Sequence, residues 1–245
     1  MKCSVLAPET VTTRKPVWLD IAGRFPDDRE CLAAFLAFET AEILEGVKPA
    51  SLVNLVNRER CCGKNFYALW KELGTGIISE SSLQGLVLAD RGDSLLLMLY
   101  HRCNLERLLA HRGVASVLRK AGYPAPFTEA SVLGELQRRM SAGNFPHEIG
   151  TLLGYPVKDV AGYLGWGKLP CTGTAPWKMF GDPSASLALA EAFRRSRSSM
   201  AVRLLADTKP IECLRSCKIV VEAQAEAAFS STLNEIDSQY YKEAV

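Results

Sequence analysis

The chain has little excess charge: 29 basic against 27 acidic residues in 245 leave a formal +2. A global field able to steer nucleic acid or anionic lipid is excluded, so any such contact has to rest on a local patch. Apolar runs such as Leu95–Tyr100 fall far short of the ~20 residues of a membrane-spanning helix, which predicts no membrane partner. Histidine is scarce, at His101, His111 and His147. Position 151, four residues after His147, is threonine, so the His-Glu-x-x-His zinc motif is absent and ordinary zincin chemistry is excluded. No Gly-x-Ser-x-Gly elbow, no Gly-x-Gly-x-x-Gly after a strand and no Gly-Lys-Ser/Thr loop occurs, which removes the familiar serine-hydrolase, NAD and NTP signatures.

Cysteine is plentiful, with eight residues, but no Cys-x-x-Cys is formed. The closest approaches are Cys61-Cys62 and Cys213-x3-Cys217, the latter expected to share one helix face. Neither has the short knuckle spacing usual in structural zinc sites. The N-terminal Met-Lys-Cys-Ser-Val-Leu-Ala-Pro has no apolar h-region, so a reducing cytoplasm with free thiols is the expectation.

What is present is ordinary globular material, 48% hydrophobic and 23% charged, enough for a sizeable core. Pro8, Pro16 and Pro26 predict an irregular N-terminal arm over 1–28. Helical periodicity predicts a helix from Arg29 to Leu44 and another over Phe66–Leu73 closed by Gly74. Strands are predicted at Leu52–Val56, at Ile77-Ile78 leading toward Leu86–Leu88, and at Ser94–Tyr100, whose apolarity suits a strand covered on both faces. Leu105, Leu108 and Leu109, then Val114, Val117 and Leu118, then Val132, Leu133, Leu136 and Met140 recur at helical spacing, with Gly113 and the Gly122–Pro126 turn as separators. The fold class expected is α/β or α+β: a small central sheet of three to four strands surrounded by a majority of helices, forming a single domain over 29–209. A C-terminal helical extension follows over 210–245. Within it Ile211–Glu235 is predicted to be a helix whose apolar stripe, 211–236, packs on its own domain or on a second copy.

The densest chemistry lies in Asn144–Leu164. Pro146 and Glu148 suit a first helical turn, Gly154 stops that helix, and Pro156 with Asp159 starts a second. The run Phe145-Pro-His-Glu-Ile-Gly150 with Leu153-Gly-Tyr-Pro156, Asp159-Val160 and Gly162-Tyr163 resembles the signature of an uncharacterised bacterial family, domain of unknown function 3793. Lys48-Pro-Ala-Ser-Leu52, the strand ending in Tyr100, Gly122-Tyr-Pro124 and Pro176–Asp182 extend the resemblance over about residues 30 to 200. The family brings no established reaction. What the resemblance implies is an iron or redox setting in anaerobes, with iron or haem as the cofactor class. His101 after Tyr100, the loop from Cys171 to Pro176, and the segment after Pro210 depart from the pattern.

Three functional readings follow. In the first, an accessory protein binds a small ligand or metal-containing cofactor near the His147 helix and the Trp177 loop. Trp177 stacks on a planar ligand, Lys178 meets its carboxylate or phosphate, and Tyr155 lies beside them. His147 is the candidate metal ligand. In the second, His147 is a general base with Glu148 or Tyr100 as partner. The third is a helix-turn-helix built on Gly150, Gly154, Val160 and Leu164. Its reading face of Lys158, Asp159, Ala161 and Gly162 is poor in the cations and amides that DNA contacts need, which argues against a nucleic-acid partner. Arg194-Arg195-Ser-Arg197 is read as cation placement at a helix end.

Overall fold

The computed structural model describes residues 17–219 apart from positions 61, 144, 175 and 207. Strands β1 (Ala50–Val56), β2 (Gln84–Asp90) and β3 (Ser94–Tyr100) form an antiparallel sheet in the order β1-β3-β2. The Asp90–Asp93 turn joins β2 to β3, with Gly92 at φ 80°. Central β3 is covered on both faces, as its sequence demands: Leu95, Leu97 and Leu99 enter one core, Met98 and Tyr100 the other.

The first core lies under α1 (Leu19–Ala22), α2 (Asp28–Glu39), α3 (Ala41–Leu44) and α4 (Phe66–Leu69). Asp27 caps α2 by accepting from Glu30 N at 2.9 Å. Phe35 and Phe66 stack at 4.1 Å, and Trp18 meets Phe35 edge-on at 5.3 Å. In the described part of the 1–28 arm, Trp18, Ile21 and Phe25 are buried in this core. The helix expected over Arg29–Leu44 breaks at Thr40, whose hydroxyl turns back to Leu36 O.

The helix runs on from α4 through a π turn, Trp70–Gly74, into α5 (Thr75–Ser79), so Gly74 does not end it and Ile77-Ile78 is helical. The reason is spatial: a Cβ on Gly74 would lie 2.6 Å from Trp70 ring atoms. The glycine admits the indole inside a continuous helix.

The second core is roofed by α6 (Arg102–Leu109), α7 (Arg112–Lys120), α8 (Glu129–Ser141), α9 (Ile149–Leu152) and α10 (Val157–Tyr163). All ten positions predicted to face inward, from Leu105 to Met140, are buried. Gly113 lies inside α7 rather than before it. The stretch read as the Cys171–Pro176 loop opens with β4 (Cys171–Thr174), which pairs with β5 (Lys178–Phe180) as a two-stranded hairpin. Then α11 (Ser184–Leu205) places Arg194, Arg195 and Arg197 in mid-helix, not at an end.

The C-terminal helix is shorter than the sequence predicts. Helix α12 (Pro210–Arg215) buries Cys213 and Leu214 in the first core and stops. Lys218 N then donates to Leu44 O at 2.8 Å. The strap passes so close to Gly46, at φ 70°, that a Cβ there would sit 2.8 Å from Lys218 O. Cys213 and Cys217 consequently share no helix face. Residues 220–236, the rest of the predicted stripe, lie outside the described residues. Among the described residues, no helix is long and apolar enough to cross a membrane.

Candidate functional site

Gly154, at φ 79°, ends the α9 turn and lets the chain fold against Pro49, whose Cδ would lie 2.7 Å from a Cβ at 154. That contact seats Tyr155 beside the segment leading into β1. There the Tyr155 ring stacks on Trp177 at 4.8 Å and 21°, and Trp177 approaches Phe193 of α11 at 5.8 Å. Two residues predicted to bind a ligand are thus brought together.

Trp177 is held by Asp159, which is 2% exposed. Asp159 Oδ1 accepts from Phe180 N at 2.8 Å and Lys158 Nζ at 3.0 Å, and Oδ2 accepts from Trp177 Nε1 at 2.8 Å and Ser186 Oγ at 2.6 Å. Lys158 Nζ also donates to Phe180 O at 2.7 Å. One carboxylate fastens α10, β5, the Trp177 segment and the start of α11. The same packing disposes of a groove-reading face: Lys158, Asp159 and Ala161 are buried, and Gly162 lies so close to the Phe180 ring that a Cβ would be 2.6 Å from Cδ1.

The cation at this cluster is Lys48, not Lys178. Lys48 is 9% exposed, and its Nζ lies 5.6 Å from the Tyr155 ring centroid and 5.2 Å from that of Phe193. Among the described residues it donates no hydrogen bond and has no carboxylate within ion-pair distance. The carboxylate that acts on it most strongly is Glu42, 4% exposed, whose Oε1 accepts from Arg197 Nε at 2.7 Å while Oε2 is buried without a partner. Arg197 also reaches Glu39 at 3.4 Å. Burial of an ammonium costs several kcal/mol, and ring faces return only about 0.5–2 kcal/mol. Burial accordingly lowers the proton affinity of Lys48 below the ordinary lysine range, against the pull of Glu42. Burial also pushes the Tyr155 hydroxyl upward.

The other predicted site residues separate. His147 is exposed, its ring between Phe145 at 5.5 Å and Tyr163 at 5.3 Å, and exposed Lys178 lies over Tyr163 at 5.8 Å. Glu148 turns inward to Arg139 at 2.8 Å, and that guanidinium also binds Glu135 and covers the Tyr123 ring. Tyr100 donates to Glu129 at 2.7 Å. His147, Glu148 and Tyr100 each have their own partners and do not form a common centre. Among the described residues no three His, Cys, Asp or Glu side chains gather as metal donors.

Sequence reasoning missed Lys48 and Glu42 as site residues. The only signal was the Lys48-Pro-Ala-Ser-Leu52 motif, with a lysine just before a buried strand.

A family model described as a protein of unknown function, DUF3793, matches residues 36–214, and the chain belongs to that family. No curated protein and no solved structure matches it.

Proposed function

We propose, for this member of the DUF3793 family, a small-ligand-binding role centred on Lys48 and Glu42, with Tyr155, Phe193 and Trp177 as the aromatic wall. One observation carries the reading. A buried carboxylate oxygen without a donor, Glu42 Oε2, and a lysine of 9% exposure whose Nζ meets ring faces rather than an acceptor among the described residues occur in one neighbourhood. Native interiors pair such groups almost without exception. A small molecule with an acceptor for Lys48 Nζ and a donor for Glu42 Oε2 satisfies both at once, and the stacked rings supply its apolar contact. The free thiols support a reducing, cytoplasmic setting. The separation of His147 from Glu148 and Tyr100 removes support from a general-base enzyme, and the burial of α10 does the same for DNA reading.

Native mass spectrometry of the full chain tests this proposal. A retained small molecule is expected in the wild type and not in Lys48→Met. The reading falls if no species is retained and a panel of small hydroxy- and amino-carboxylates leaves thermal unfolding unchanged.

A further inference from the structure

The geometry points to Lys48 as an imine-forming lysine that captures a small carbonyl compound, an aldehyde or a 2-oxo acid, an inference that rests on the binding role above and names its chemistry. An ammonium carries three N–H donors and seeks acceptors. Lys48 has none among the described residues, only the faces of Tyr155 and Phe193 at more than 5 Å. Those surroundings suit a neutral amine, whose free lone pair is a nucleophile. Burial, joined by the Arg197 guanidinium, lowers its proton affinity against the opposite pull of Glu42 and Glu39.

The chemistry needs one further group, and Glu42 supplies it. The Lys48 Nζ lone pair forms a bond to the carbonyl carbon while the C=O π pair moves to oxygen. Glu42 Oε2, buried and unpartnered, carries the two amine protons in turn from nitrogen to that oxygen, the first forming the carbinolamine hydroxyl and the second letting it leave as water. In sum, the carbonyl compound and the lysine amine give an imine, with carbon doubly bonded to Nζ, and one water, with no oxidant or reductant. Arg197 holds the other oxygen, Oε1, at 2.7 Å, so Glu42 is fixed while Oε2 stays free. The Tyr155–Trp177 stack lies beside the new C=N bond.

Glyoxylate with sodium cyanoborohydride at pH 7, followed by peptide mapping of the full-length folded protein, reads the result on the wild type without any variant. Lys48 is expected to be reduced to a stable adduct at least tenfold faster than the exposed Lys120 and Lys168, and to lose that lead in urea. Glu42→Gln should slow Lys48 labelling severalfold and leave the exposed lysines unchanged. Labelling of Lys48 no faster than Lys168 in the folded protein overturns the proposal. If carboxylates still stabilise the wild type but not Lys48→Met, imine formation fails while the binding role stands; if neither effect appears, both fail.

Discussion

Replacing Asp159 by alanine removes the acceptor of four hydrogen bonds at once. Lys158, 6% exposed, keeps only Phe180 O, and leaving a buried cation uncompensated costs ~3–5 kcal/mol. The Trp177 and Phe180 N–H groups, deprived of partners, add ~1–3 kcal/mol each. Because all share one acceptor the terms overlap, and a total of roughly 5 kcal/mol is expected rather than their sum. That is a large part of the ~5–15 kcal/mol that holds an ordinary domain together. At ~2–4 °C per kcal/mol for a chain of this size, the midpoint should fall by roughly 10–20 °C. Asp159→Asn, which keeps one oxygen but loses the charge, should fall about half as far. Calorimetry reads the midpoint, and indole emission reads release of Trp177. If both variants unfold within about 2 °C of wild type with unchanged emission, the carboxylate does not fasten these elements.

Glu135 is held at about 2, against the usual 4.5, by its hydrogen bonds to Arg138 and then Arg139. A carboxyl depressed in the folded state stabilises above its unfolded value and loses that contribution as pH falls from 4.5 toward 2; Glu135→Gln should flatten this limb in urea titrations run across that range. Lys48 has the opposite sense for a base. The unfolded chain keeps a proton that the folded one resists, so stability should rise with pH up to the ordinary 10.5, and Lys48→Met should abolish the rise in midpoints recorded from pH 7 upward. Exposed Cys103 and Cys171 should alkylate rapidly, whereas buried Cys31, pushed up to about 11 chiefly by burial, should be labelled only through unfolding, as mass spectrometry of timed iodoacetamide reactions will report. Gly162→Ala should cost about 1–3 kcal/mol by pressing on the Phe180 ring, while Gly167→Ala, which meets nothing within 4 Å, should leave the melting curve in place.

Periodicity made the second core legible: a helix that recurs at i, i+3 and i+4 can bury only that face, and Leu105 through Met140 obey it. Local signals failed where tertiary contact decides. Ile77-Ile78 has strand propensity, but the Trp70 ring seated over Gly74 keeps the chain helical through them. Trp177 and Tyr155 could be suspected from residue type alone. Asp159 reads as a helix-start carboxylate because Trp177, Phe180 and Ser186 lie 18 to 27 positions further on. Lys48 is harder still. Nothing in Lys-Pro-Ala-Ser tells a buried lysine from a solvated one, since its aromatic walls come from positions 155 and 193, which are distant in sequence and meet it only in the folded chain.

The fit of α12 and the strap against α2 and α3 also fixes an order of events during synthesis. Cys213 and Leu214 share a core with Ile21, Leu32 and Leu36, and Lys218 closes on Leu44. Almost 200 residues separate the first of these partners from the last. The earliest helices to leave the ribosome therefore stay open on one side until positions 210–218 have emerged and α12 can dock.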